Sequence, residues 1–243
     1  MPTLSPHGLT NRTERQIWHG QPVALRTNCP NPGALGIDRA RERAVLDHIQ
    51  SCPWAPRVLH WDEDTLVTAW VEGHAPPSGP QTDLTWLASA LDAVHALPPP
   101  AGLAPLDMRD QIQRLLRSAN HLPSTLAEEA QYWLTHYHPP ASVCLCHHDW
   151  HPGNLIIHKA GWTLLDWEYA APGDRVLDVA SAVLGFGLDV IQQQTLAERT
   201  GLPSHQLSEA VALMTCVNAL WHQVRQDHQD PSILTIGRTE TPG

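Results

Sequence analysis

The chain has 243 residues, 42% of them hydrophobic, and ten tryptophans, a composition typical of a folded protein rather than a disordered one. Its formal net charge of −10 argues against a nucleic acid partner, because phosphate backbones are bound by clustered lysine and arginine. No apolar run approaches the roughly 20 residues of a membrane span, and the N-terminus lacks the apolar segment of a signal peptide, so we expect a cytoplasmic protein without a membrane partner.

The first third of the chain is predicted to form short strands with a single helix. The helix, over residues 38–49, places its apolar residues on one face. Segment 72–80 is rich in proline and glycine, breaks regular structure and is the candidate hinge between two lobes. The predicted strands are 13–18, 23–27, 58–61 and 65–71.

The remainder is predicted to be mostly helical. Thr125 and Glu128 fit a capping box at the start of one helix. The C-terminal tail from about Asp230 is predicted to lack regular structure. Apolar residues at helical spacing predict helices from 84 to about 97, where three prolines end the helix, and at 108–120, 124–137, 175–184, 191–199 and 208–225.

The five cysteines are odd in number and scattered along the chain. Cys144 and Cys146 flank one residue of a predicted strand, so their side chains point the same way. This is not the C-x-x-C spacing of a redox or zinc motif, and we interpret the cysteines as reduced.

The segment after these cysteines carries the clearest chemical signal. Asp149 and Asn154 frame a short loop that contains Pro152 and Gly153, and Asp166 ends the next apolar run. A hydroxyl that attacks a γ-phosphate needs a carboxylate to orient it and accept its proton, and oxygen ligands for a divalent metal ion. The spacing therefore predicts a phosphoryl-transfer site with Asp149 as the base and Asn154 and Asp166 as the metal ligands.

The loop from His147 to Asn154 resembles the H-G-D-x-H-x-x-N loop of the aminoglycoside phosphotransferase and choline kinase-like superfamily, with His148 in place of the usual glycine. The run L-D-W-E-Y-A over 165–170 is similar to a signature of its choline kinase and bacterial thiamine kinase branch. Further similarities cover nearly the whole chain. They are the G-L-T-N nucleotide loop at 8–11, the V-A-L-R strand at 23–26, the L-x-x-L-H helix at 91–98 and the W-x-x-x-R pattern of Trp221 and Arg225.

The resemblance implies an α+β, protein kinase-like, two-lobed fold. Residues 1–72 would form a nucleotide-binding lobe, a small antiparallel sheet with one helix. Residues 73–243 would form a larger, mainly helical lobe for catalysis and substrate binding. The implied activity is ATP- and Mg²⁺-dependent transfer of the γ-phosphate to an alcohol group of a small, cationic substrate, by a monomer or homodimer.

The resemblance also implies residue roles. Arg26 would contact the ATP phosphates and pair with Glu42, while Asp149 would be the base and Asn154 and Asp166 the Mg²⁺ ligands. The other residues expected at the nucleotide are Gly8, Thr10, Asn11, Ala69 and Val71. The candidates for contact with the substrate are Trp150, His151, Glu168 and Trp221.

Alternatives remain open at this point. Thiamine is the first-choice acceptor, followed by choline or a related amino alcohol, and then an aminoglycoside or amino sugar. A non-catalytic nucleotide or metabolite binder is the second class, because the nucleotide loop has one glycine and His148 could alter substrate access. A metal-dependent hydrolase that uses His147, His148 and His151 is the third.

Overall fold

The structure is a computed structural model, and it describes residues 11–28 and 32–229. Gly8 and Thr10 lie outside the described residues. The strands are β1 (Arg12–Trp18), β2 (Gln21–Thr27), β3 (Val58–Trp61), β4 (Thr65–Ala69), β5 (Cys144–Cys146), β6 (Leu155–His158), β7 (Gly161–Leu164) and β8 (Ala171–Gly173). The helices are α1 (Arg39–Ile49), α2 (Leu84–His95), α3 (Met108–Ser118), α4 (Ser124–His136), α5 (Arg175–Phe186), α6 (Val190–Thr200) and α7 (Ser204–Gln229).

The first four strands form an antiparallel sheet in the order β1-β2-β4-β3. Strand β2 is paired on both sides, so its backbone is fixed by two hydrogen-bonded ladders. The side chains of Val23 and Arg26 are buried, whereas the side chain of Thr27 is exposed. A charged group on a central strand is therefore held in the interior, where it needs a partner.

Helix α1 supplies that partner. Its N-cap is Asp38, whose carboxylate accepts hydrogen bonds from the backbone N–H groups of Ala40 and Arg41. This cap places Glu42 in the first turn, where its side chain is completely buried. The carboxylate also lies at the positive end of the helix dipole.

A tryptophan cluster joins the segment after α1 to the hairpin of β6 and β7. The ring of Trp54 stacks on Trp162 at 5.9 Å and on Trp167 at 5.5 Å between ring centroids. The backbone N–H of Leu164 also donates to the carbonyl of Trp54 at 2.9 Å. These contacts fix the end of β7, and hence Asp166, relative to the α1 region.

The predicted hinge segment is tied to the same hairpin. His74 and Ile157 exchange two backbone hydrogen bonds of 3.1 and 2.8 Å. A Cβ atom at Gly73 would lie 2.3 Å from the carbonyl oxygen of Ile157, so this close approach requires glycine. The division of the chain at residue 72 stays a prediction.

The structure confirms the α+β class, with a small sheet and one helix first and a mainly helical region after them. Most predicted elements agree within two residues at each end. The capping box is wrong, because α4 begins after Pro123 and no side chain caps it. Helix α7 begins at Ser204, four residues before the predicted start. The prediction missed the first turn because this turn is polar and carries no apolar period. None of the described helices has the length and apolar character that crossing a bilayer would require.

The contact between α5 and the loop after β5 yields a test of the fold. A Cβ at Gly185 would lie 2.0 Å from the carbonyl oxygen of Trp150. Alanine is the better helix former by about 1 kcal/mol, so propensity alone predicts that Gly185→Ala stabilises the protein. We expect the clash to dominate and to lower the free energy of unfolding by about 2 kcal/mol in urea titrations. Gly33→Ala is the control, since its Cβ would meet nothing within 4 Å; equal stability of the two variants would contradict this packing.

Candidate active site

The loop between β5 and β6 presents Asp149 at the surface. The side-chain amide of Asn154 donates from Nδ2 to the carboxylate Oδ2 of Asp149 at 2.8 Å and to its backbone oxygen at 2.9 Å. Because both bonds come from the amide nitrogen, the amide oxygen of Asn154 is the atom that can face a cation. The side chain of Asp149 is 40% exposed, so it is oriented by the protein and still open to a ligand.

Two histidines support Asp149 in different ways. His147 accepts from the backbone N–H of Asp149 at Nδ1 and donates from Nε2 to the carbonyl of Leu165 at 2.9 Å. It therefore ties the loop to the strand end before Asp166. His151 accepts from the N–H of Gly153 at Nδ1, which directs Nε2 toward Asp149 Oδ2 at 3.6 Å. His147 is therefore a structural residue of the loop.

The hydrogen bonds determine the charge of Asp149. Desolvation opposes its ionisation, but attraction from His151 and His147, together with the hydrogen bond from Asn154, outweighs desolvation and holds the pKa below its usual value. The carboxylate is therefore ionised at neutral pH. It can orient a hydroxyl group and accept its proton as the new bond forms.

Arg26 and Glu42 form the predicted pair. Two bonds of 2.6 and 2.8 Å join the guanidinium to the carboxylate, and Arg26 Nη1 also donates to Asp166 Oδ1 at 3.1 Å. Burial disfavours the charged arginine, but Glu42 outweighs it and the pKa of Arg26 is raised. The strand, the helix and the end of the hairpin thus converge on one guanidinium group.

A second arginine extends this network. Arg39 Nη1 donates to Glu42 at 2.8 Å and to Glu168 at 2.9 Å, and its Nη2 donates to Asn11 Oδ1 at 2.7 Å. Asn11 completes the circuit by donating from Nδ2 to Glu168 at 2.7 Å. Glu168 is 2% exposed. The expectation that it contacts the substrate is not supported, because its carboxylate is enclosed by these partners.

The network leaves an excess of negative charge. The two guanidinium groups of Arg26 and Arg39 contact the carboxyl groups of Glu42, Glu168 and Asp166. Burial raises the pKa of Asp166 well above its usual value, and the neighbouring Glu168 adds to this effect. Burial and neighbouring negative charge oppose the ionisation of this carboxyl group, so a divalent cation would stabilise its ionised form. The oxygen donors of Asn154 and Asp166 fit a hard ion such as Mg²⁺.

His148 occupies a backbone position that favours glycine. Its φ is +66°, in the left-handed region. The ring is turned into the interior against Gly173, where a Cβ would lie 2.5 Å from Nε2. Within the described residues neither ring nitrogen has a hydrogen-bond partner. The expectation that His148 alters substrate access is therefore not supported, because the ring packs away from the surface.

Asp178 anchors the loop from behind. Its carboxylate accepts from the backbone N–H of His148 at 2.6 Å, from Trp150 Nε1 at 2.9 Å and from His95 Nε2 at 2.7 Å. These bonds give Asp178 a structural role beneath the loop. Trp150 has no exposed surface, so the expectation that it lines the substrate site is not supported. Neighbouring Asp174 caps α5 through the N–H of Val176.

Trp221 remains a substrate candidate with a partner that sequence reasoning missed. Its indole N–H donates to the hydroxyl of Tyr169 at 2.8 Å, and the guanidinium of Arg225 lies 5.8 Å from its ring centroid. Both aromatic residues are half-buried. Burial, with Glu168 and Asp149 adding to it, raises the pKa of Tyr169 well above its usual value. The only available signal for Tyr169 was its place directly after Glu168 in the L-D-W-E-Y-A run.

Two residues expected at the nucleotide lie at the end of β4 and directly after it. Ala69 ends β4, and its N–H donates to the carbonyl of Arg57 at 2.9 Å, while Val71 follows in the half-buried connection. The roles of both at the nucleotide stay predictions. Within the described residues, the histidines of the hydrolase alternative do not form a ligand set. His147 is bonded to Leu165, the ring of His148 packs against Gly173, and His151 faces Asp149.

The small sheet with its arginine–glutamate pair, followed by an Asp-Asn loop and a second aspartate on a hairpin, is the layout of the protein kinase-like fold. The chain belongs to the phosphotransferase enzyme family, whose model matches residues 5–229. It is 27% identical over 188 residues to the thiamine kinases of Salmonella typhimurium and Salmonella typhi, a match that covers 75% of this chain. The chain spans 62% of the length of these relatives.

Solved structures share the fold. The choline kinase LicA from Streptococcus pneumoniae superposes with a TM-score of 0.76 at 16% identity, over 92% of this chain and 85% of that one. A macrolide 2'-phosphotransferase type I superposes with a TM-score of 0.67 at 19% identity, over 96% of this chain and 87% of that one. These similarities confirm the predicted kinase-like fold.

The buried pair can be tested by removing one charge. Glu42→Gln removes the carboxylate that holds Arg26 by two bonds and leaves Arg26 with only its longer bond to Asp166, so we expect the free energy of unfolding to fall by about 3–5 kcal/mol. Asp47→Asn is the matched control, because Asp47 is 72% exposed and lies 4.0 Å from Arg43. We expect the control to change stability by less than about 0.5 kcal/mol. Urea titration of both variants provides the measurement, and a small loss for Glu42→Gln would contradict the structure.

The buried imidazole of His148 predicts a pH dependence. Burial lowers the pKa of His148 from 6.5 to about 4. The unfolded chain takes up this proton near pH 6.5 and the folded protein does not, so stability present above pH 6.5 is lost as the pH falls toward 4, by about 3 kcal/mol. In His148→Gly this loss should be smaller between pH 6.5 and 4 in urea titrations. His138→Gly, at an exposed position, should retain the wild-type slope; equal slopes in all three proteins would contradict the prediction.

Proposed function

We propose that the chain is an ATP- and Mg²⁺-dependent small-molecule kinase that transfers the γ-phosphate to an alcohol group of a small, cationic acceptor. The observation that carries this proposal is the open, ionised carboxylate of Asp149, held by Asn154 and His151 beside an acidic network that contains Arg26. Membership of the phosphotransferase enzyme family supports the reaction class.

Arg26 acts on the donor side of this reaction. Glu42 holds its guanidinium by two bonds, so the positive charge is oriented before a nucleotide arrives. The group is planar and suits phosphate oxygens, and it can exchange its longer bond to Asp166 for a contact with phosphate. Asn154 and Asp166 would hold Mg²⁺, which supplies neutralisation of the phosphate charge when bound.

Asp149 acts on the acceptor side. A hydroxyl group that donates a hydrogen bond to its free carboxylate oxygen is held in line for attack. Its proton passes to the carboxylate as the new O–P bond forms, while the bond from the γ-phosphorus to the bridging oxygen breaks and ADP leaves. The low pKa makes Asp149 a weak base in the ground state. Its main contribution is therefore orientation, and proton acceptance occurs late, when the attacking oxygen has become acidic.

The charge around Asp149 supports a cationic acceptor. Carboxylates outnumber guanidinium groups in the network. Tyr169 and Trp221 are half-buried and offer aromatic surface, and the Tyr169 hydroxyl lies 2.8 Å from the indole nitrogen of Trp221. Thiazolium and quaternary ammonium groups are stabilised by such surroundings. Thiamine is our first choice, supported by the thiamine kinases to which the chain is similar, and choline is the second. Aminoglycosides and amino sugars remain the alternative class.

The proposal is tested with Asp149→Asn in a coupled assay of ADP release. The panel contains thiamine, choline, ethanolamine, amino sugars and aminoglycosides, with Mg·ATP as donor. We expect release with a cationic alcohol in the wild type, and a loss in kcat of about 10³-fold in the variant, with an unchanged affinity for Mg·ATP. Asp64→Asn, in an exposed turn, is the control with wild-type turnover.

Two outcomes would contradict the proposal in different ways. Undiminished turnover in Asp149→Asn would remove the assigned base. Binding of Mg·ATP without ADP release from any acceptor would instead identify a non-catalytic nucleotide binder.

A further inference from the structure

Behind the catalytic loop, two thiols and an imidazole form a second cluster. Cys144 and Cys146 project from the same face of β5, and their sulfur atoms are 3.6 Å apart. His95, the last residue of α2, faces them from the neighbouring helix. The ligand atoms of the three residues lie within 4.8 Å of one another, and in the part of the chain that the structure describes no other His, Cys, Asp or Glu group has this geometry.

The separation of the sulfur atoms suits a shared metal ion. Two thiolates bound tetrahedrally at about 2.3 Å from zinc are about 3.8 Å apart, close to the 3.6 Å observed. A disulfide would require the sulfur atoms to approach to about 2 Å. Residues two apart on a strand also have Cα atoms separated by about 6.7 Å, near the upper limit for a disulfide. The cluster therefore favours coordination over a bond between the two sulfurs.

The imidazole has one nitrogen atom that can become a ligand. His95 donates from Nε2 to Asp178 at 2.7 Å, and its Nδ1 accepts a long bond of 3.4 Å from Nε of Arg175. An arginine can only donate, so the proton of His95 lies on Nε2 and Nδ1 carries the lone pair. A carboxylate bound to the far nitrogen of a ligating histidine is the usual support in zinc sites. Arg175 can leave Nδ1, since it is also held by Asp92 at 2.6 Å.

The two thiols differ in exposure. Cys144 is half-buried and can reach solvent, whereas Cys146 is buried. A metal ion can therefore reach Cys144 first, and Cys146 would give up its proton as the ion binds. The exposure at Cys144 leaves room for water as a fourth ligand.

We propose that Cys144, Cys146 and His95 form a binding site for a thiophilic divalent cation, zinc, separate from the oxygen ligands of the kinase site. Soft sulfur ligands select zinc over Mg²⁺, whereas Asn154 and Asp166 offer hard oxygen atoms. The site is linked to the catalytic loop at two points. Cys146 directly precedes His147, and Asp178, which orients His95, also holds the backbone N–H of His148. Occupancy therefore stabilises the loop that carries Asp149.

The test uses the reduced, tag-free full chain. Zn²⁺ binding is measured by competition with a chromogenic chelator, and Co²⁺ serves as a spectroscopic probe because thiolate ligands add a charge-transfer band. We expect one Zn²⁺ per chain, a thiolate band with Co²⁺, and a rise in Tm on the order of 5 °C. Cys144→Ser should weaken binding on the order of 100-fold and abolish most of the band.

Two controls separate this site from others. Cys52→Ser, at another half-buried cysteine, should bind Zn²⁺ as the wild type does. Asp149→Asn should also retain Zn²⁺ affinity, which separates the proposed site from the kinase site and its histidines. Cys146→Ser provides a second variant at the buried ligand. Absence of Zn²⁺ uptake at micromolar concentrations, a Co²⁺ spectrum without the thiolate band, or equal affinity in Cys144→Ser would overturn the proposal.

Discussion

Arg26 and Glu42 come from a central strand and from the first turn of a helix, and each is buried almost completely. A charge in such a place must be paired, because an unpaired ion in the interior costs several kcal/mol. Strand β2, the Asp38 cap of α1 and the hairpin that carries Asp166 therefore have to meet at one point if the protein is to fold. The same requirement orients a positive charge toward the place where phosphate would bind. Stability and pre-organisation of the site thus depend on one interaction.

The sequence predicted the site where the chemistry is local. Asp149 and Asn154 belong to one short loop, and their hydrogen bond follows from five residues of chain. The Arg26–Glu42 pair was accessible only through resemblance, because its partners lie on different elements. The closed circuit of Asn11, Arg39 and Glu168 spans more than half the chain, and no local pattern reports it. Glu168 was expected at the substrate from the resemblance, because the sequence does not reveal this enclosure.

Burial explains most of the remaining differences. Trp150 follows the predicted base directly, but its indole nitrogen is bonded to Asp178 of α5, so the ring points into the core. Cys144 and Cys146 were correctly placed on one face of a strand. The third member of the cluster, His95, belongs to α2, and the spacing of the two cysteines does not predict it. Helix and strand positions were more predictable, because apolar periodicity is a property of the segment itself.

The packing of His148 against Gly173 constrains how this chain can diverge. The imidazole fills the space in which a Cβ at position 173 would lie, at 2.5 Å from Nε2. The effect of a substitution at either position therefore depends on the residue at the other. A lineage could acquire alanine at 173 only after the ring at 148 had been replaced by a smaller group, and the reverse order would pass through a destabilised intermediate. We therefore expect the two positions to form an epistatic pair, coupled by van der Waals contact rather than by catalysis.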